Sequence, residues 1–176
     1  MSRRNFEDTF QKIEEEYTQN DKPSSNCTKL IDSLAEEENP KIKDFLIKCL
    51  QDSRNLWKFL GLDMLLSHYD CKGNSDVIEK VRSLLLNDED PAIRSKSAAF
   101  LGVISKWPDP ALRDSLTDDE DSRVIVQAFQ AILLLAGIPY NLARQEVNRL
   151  KAGQIEPNFE SIEHITQNYA DSLKGH

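Results

Sequence analysis

Apolar residues recur along this chain at three- and four-residue spacings, and no stretch alternates as a half-buried strand would, so the predicted fold class is all-α. The pattern is clearest in LLLNDEDPAIRSKSAAFLG, residues 84–102. Asp90 before Pro91 is a helix start: the carboxylate can accept from free first-turn N–H groups, and proline at the first helical position gives up only an N–H that had no partner. After it Ile93, Ser97, Phe100, Leu101 and Ile104 share one helix face. The same reading predicts a helix over 1–20 with Phe6, Phe10, Ile13 and Tyr17 on one side, then a second through Cys27, Leu30, Ile31 and Leu34. A third begins at Asn39-Pro40 and carries Ile42, Phe45, Leu46, Cys49 and Leu50. A fourth holds Leu56, Phe59, Leu60, Met64 and Leu65 and ends near Tyr69, with turn chemistry following at Gly73-Asn74.

Asp76 and Glu79 are spaced as a capping pair ahead of Val77, Ile78, Val81, Leu84 and Leu85. Trp107 is expected to close the helix that starts at Pro91, and Asp109-Pro110 opens a short one through Leu112 and Leu116. A further helix ends at Gly137, residues 139–151 carry Leu142, Val147 and Leu150, and Asn158 can cap a last helix with Phe159, Ile162, Ile165 and Tyr169. Every proline then falls in a loop or at a helix start. That makes about ten helices in five pairs.

The acidic turn and its helix are repeated. DEDPAIR (88–94) matches DEDSRVI (119–125), 31 positions on, and Val124, Ala128, Ala131, Ile132 and Leu135 keep the apolar spacing. EENPKIK (37–43) is a third version. If 54–69, 91–106 and 121–136 are second helices of their pairs, the copy at 37–50 starts a first helix, so the turn sequence is expected at both kinds of junction. Tandem helical hairpins of this kind predict a solenoid.

The stretch 85–102 resembles the HEAT-like repeat family, whose pattern of paired leucines, an acidic turn ending in Asp-Pro, an aliphatic-Arg pair, two alanines and Leu-Gly is met by Leu85 and Leu86, Asp90 and Pro91, Ile93 and Arg94, Ala98 and Ala99, and Leu101 and Gly102. The resemblance implies a right-handed α-solenoid of about five antiparallel helix pairs. It spans 1–176 as a single domain, with divergent caps at 1–38 and 153–176. It also implies that Asp90 and Arg94 are structural and help tie adjacent repeats; Val124 and Ile132 occupy repeat positions in the next copy. That copy departs from the family at Ile125, where arginine would stand, and lacks the proline.

Composition narrows the function. The net charge of −8, from 30 acidic and 22 basic residues, and the lack of any Lys/Arg cluster to meet phosphates argue against nucleic-acid binding; an acidic surface points instead to a basic protein partner or merely to solubility. No apolar run approaches the ~20 residues of a membrane span, and MSRRNFEDTF lacks the apolar core of a signal peptide. Three cysteines without a framework, Cys27, Cys49 and Cys71, fit a reducing, cytoplasmic setting and buried thiols.

Candidate chemistry is sparse. Asp118, Asp119, Glu120 and Asp121 lack the alternating ligands, bend glycine and closing glutamate of a calcium loop, so a capping turn is the better reading. His68 and Cys71 give two zinc ligands where a structural site needs four; His164 has no nucleophile or paired carboxylate beside it, and His176 is a tail residue. No G-x-S-x-G, P-loop or H-E-x-x-H motif occurs, and no cofactor is implied. Trp57 and Trp107 are expected to be partly buried between repeats, with partner anchoring as the alternative, and Asp88, Glu89 and Asp118 to Asp121 form either a solvated surface or a negative ridge for a partner. The expected function is non-catalytic protein binding by a monomeric scaffold, with inhibition of a basic nuclease or toxin as one alternative. A second alternative, chromophore lyase or isomerase activity on bilin-binding proteins, rests on the resemblance alone.

Overall fold

The computed structural model describes the backbone of residues 3–174 and the side chains of residues 5–174. Among these residues all regular structure is α-helical: α1 (Arg3–Gln19), α2 (Ser25–Ala35), α3 (Pro40–Cys49), α4 (Asn55–His68), α5 (Ser75–Asn87), α6 (Pro91–Ile104), α7 (Pro110–Asp118), α8 (Ser122–Leu135), α9 (Tyr140–Lys151) and α10 (Phe159–Lys174). No helix among them is long and apolar enough to cross a membrane. The described residues fall into two compact units that divide between Cys71 and Lys72. The division falls beside the turn at Gly73, where φ of +70° ends one apolar stripe before the next begins.

Helix starts are set by short polar side chains that meet otherwise unpaired N–H groups. Asp90 accepts from Ala92 N, Asp109 from Ala111 N and Leu112 N, and Asp121 from Arg123 N. Asn39, Asn158 and Ser24 act alike at α3, α10 and α2. The Asp76–Glu79 capping pair does not form: Asn74 caps α5 instead, and the two acids, inside the helix, pair with Lys80 and Arg82. Asn74 lies directly before the first turn, so its short side chain reaches Val77 N without leaving the helix path. At the other end of α8, Gly137 takes φ of +87°, letting Ile138 N donate to Leu133 O and Gly137 N to Leu134 O. These bonds satisfy two terminal carbonyls and turn Ile138 into the core.

The first unit is built on aromatic rings. Tyr17 and Phe10 of α1 meet Phe45 of α3 edge-on, and Tyr17 also meets Trp57 of α4, with centroids 5.0 Å apart. A polar clamp adjoins them. Arg54 forks onto Asp52 through Nε and Nη2 at 2.8 and 2.6 Å, while its Nη1 donates to the carbonyls of Tyr17 and Asn20. The hydrogen bonds from Arg54, with one from the Tyr17 hydroxyl, hold the Asp52 carboxyl far below the ordinary range despite its burial. α1 and α2 are thus packed against α3 and α4.

In the second unit α5 lies on α6 and α7 on α8; α6 also lies on α8, and α5 on α7. Ile93, Leu101 and Ile104 of α6 and Val124, Ala128 and Ile132 of α8 are buried. The α6–α8 crossing is tight: a Cβ on Gly102 would sit 2.8 Å from Ala131 Cβ and 2.9 Å from its Cα. α10 touches α8 but buries only Ile162. Gly102→Ala should therefore destabilise by about 1–3 kcal/mol, the usual range for overpacking, although alanine is the better helix former. Urea unfolding followed by circular dichroism measures this, and a variant as stable as the parent contradicts the crossing.

Candidate functional site

Two arginines of the second unit bridge from one helix to the turn that begins another. Arg82 of α5 donates from Nε and Nη2 to Asp109 Oδ2 at 3.2 and 3.0 Å, and Asp109 also caps α7 from a position only 1% exposed. Arg94 of α6 forks onto Asp119, Nε to Oδ2 at 2.8 Å and Nη2 to Oδ1 at 2.9 Å. Its Nη1 donates to the Asp88 carbonyl at 2.9 Å, so one guanidinium joins the turn before α6 to the turn before α8. Within each turn the first aspartate accepts from the N–H two residues on, Asp88 from Asp90 and Asp119 from Asp121, both at 2.9 Å. The repeated D-E-D sequence is thus a repeated turn, its first acid shaping the loop and its third capping the helix.

Burial would by itself raise the Asp119 carboxyl. Hydrogen bonds from Arg94 and from the Asp121 N–H, with the charge of Arg94, outweigh it and hold that carboxyl below the ordinary range. Asp121 is held down to about 2 by the Arg123 guanidinium that forks onto it.

A groove of about 380 Å³ opens between these turns. Five carboxylates line it against one guanidinium: Asp88, Asp114, Asp118, Asp119 and Glu120 facing Arg94. Asp114, Asp118 and Glu120 are exposed and meet no cation among the described residues. Leu86, 46% exposed, forms an apolar wall beside them. An anionic rim over an aliphatic wall suits a lysine or arginine side chain, whose stem prefers apolar surface while its head stays among acids.

The other expected site residues are placed differently. Trp57 is fully buried, its indole N–H donating to Asn20 O at 3.1 Å and its ring covered by Tyr17, so it cannot anchor a partner. Asp119 is likewise not a ridge acid, because Arg94 consumes both its oxygens. Trp107 lies beyond the end of α6, which stops at Ile104 when Ser105 turns to extended backbone, and it remains 43% exposed. Glu89 is exposed on the turn. Asp114, on the outer face of α7, escaped the sequence reading, since nothing in its local pattern separates it from any solvated acid.

His68 Nε2 is bonded to Asp32 Oδ1 at 2.8 Å, and Cys71 is buried. Burial pushes the Cys27 and Cys49 thiols up to about 12, away from thiolate chemistry. His164 is exposed and bonded to Asn168; His176 lies outside the described residues. No cluster of three His, Cys, Asp or Glu among the described residues could hold a metal ion.

The pKa of Asp119 sets a pH test. A carboxyl depressed in the fold contributes stability above the unfolded pKa of about 4, and that contribution is lost as pH falls through the folded value. Arg94→Met should cost about 2–3 kcal/mol at pH 7, and the gap to the parent should narrow as pH falls below about 4. Thermal melts between pH 7 and pH 3 measure both; a gap that does not change with pH contradicts the bridge. Comparison of the chain with protein-family models, with curated proteins and with solved structures gave no match.

Proposed function

We propose that the chain is a HEAT-like α-solenoid, non-catalytic, that docks a basic segment of a protein partner through the groove between the 88–90 and 118–121 turns. Support for the solenoid comes from the way contacts repeat one pair further on, α5 with α7 and α6 with α8. Ile93 and Val124, each three residues after its capping aspartate, are both buried. The two arginine bridges connect those same pairs.

The observation that carries the docking role is the set of three uncompensated carboxylates, Asp114, Asp118 and Glu120, beside exposed Leu86. Asp109 and Asp119, by contrast, are paired with Arg82 and Arg94. A groove with this excess attracts a cationic segment at long range and fixes its register at short range.

Fluorescence anisotropy with a labelled decapeptide of alternating lysine and leucine tests this at moderate salt. Asp118→Lys/Glu120→Lys should weaken binding at least tenfold, about 1.4 kcal/mol. Asp8→Lys/Glu14→Lys, an equal charge change on α1, should alter it far less. Equal losses in both variants would reduce the attraction to net charge and overturn the groove as a docking site.

A further inference from the structure

Across the Asp119–Asp121 turn from the groove lies a second hollow of about 690 Å³, open to solvent and of opposite character. The two share the turn: Arg94 and Glu120 border the first, Ser95 and Ser122 the second. The floor of the second is apolar, made by Ile125 and Val126 of α8, Leu150 of α9 and Pro157. Its charged lining residues are Arg123 and Lys151, and no carboxylate lines it, on a chain where acids outnumber bases 30 to 22.

The floor has a cause in the sequence. Four residues after its capping aspartate, α6 carries Arg94, which reaches to the next turn; at the same place α8 carries Ile125. The polar bridge is replaced there by a half-exposed aliphatic side chain, and Val126 beside it is also half-exposed. The cations are open to a ligand. Lys151 is exposed and forms no ion pair among the described residues. Asp121 occupies Nε and Nη2 of Arg123, whose Nη1 makes no hydrogen bond among the described residues.

We propose that this hollow is a second docking site, for a peptide segment in which an acidic side chain stands beside aliphatic ones. Its volume lies in the roughly 300–1,000 Å³ range of ligand pockets. Its lining comes from three helices and the segment after α9, and its open side suits a chain laid across the helices better than an enclosed small molecule. An acidic side chain would meet Lys151 and the free edge of Arg123, while its aliphatic neighbours covered Ile125, Val126 and Leu150. The proposal stands independently of the acidic groove.

The probe is a labelled decapeptide of alternating leucine and glutamate, followed by anisotropy at moderate salt. The parent chain should bind it, and Lys151→Glu, at an exposed position that cannot disturb the core, should weaken binding at least fivefold. Val126→Asp, its helix content checked by circular dichroism, should do the same, whereas Lys106→Glu, the same charge change away from the hollow, should leave binding within twofold. No binding by the parent, equal losses with Lys151→Glu and Lys106→Glu, or full displacement of the peptide by decanoate would each overturn the proposal.

Discussion

The second unit depends on how closely α6 approaches α8. At Gly102 the two backbones come so near that no side chain fits, and Ala131 opposite is as small as a residue with a Cβ can be. This contact allows Phe100 and Leu101 on one helix and Phe129 and Ile132 on the other to be buried together. It also fixes where the helix starts fall. With α6 and α8 side by side, the turns before them lie near enough for Arg94 to span from the Asp88 carbonyl to the Asp119 carboxylate.

That spacing divides the acids between structure and surface. Asp90, Asp109 and Asp121 cap helices, and Asp109 and Asp119 also receive guanidinium groups. Such acids are consumed, since removing one would leave a partly buried cation or free helix N–H groups behind. The groove acids that remain face solvent: Asp118 and Glu120 flank Asp119 in the turn, and Asp114 lies one turn earlier on α7. The same turn therefore holds the fold on one side and offers charge on the other. The proposed docking of a basic segment uses only the second set.

Much of this was legible in the sequence because its punctuation is strong. Asp-Pro and Asn-Pro starts, Gly137 and the three- and four-residue spacing place the helix boundaries within a few residues, and Asp90 acts as the cap its position suggests. What was not legible depends on partners distant in sequence. Asp109 and Asp90 stand in the same Asp-Pro context, yet Asp109 is sealed under an arginine 27 residues earlier while Asp90 stays partly exposed. Asp118, Asp119 and Glu120 are indistinguishable as a run of acids until Arg94 selects the middle one.

Trp57 shows a different obscurity. α4 carries apolar residues nearly all the way round, so periodicity does not say which side is inward. The structure buries Trp57 and leaves Leu56 and Phe59 exposed, a choice made by Tyr17 and Phe45. The groove was illegible for a related reason, since one wall of it comes from α7, where Asp114 looks like any exposed acid.

The tight α6–α8 contact makes these two helices one cooperative element, with the charged turns hung on its edge. Native-state hydrogen exchange tests this most directly, because segments that open together exchange together. The amides of α6 and α8 should be the slowest in the second unit and share one opening free energy, while those of α10 exchange earlier. Loss of protection in α8 while α6 stays closed would contradict it.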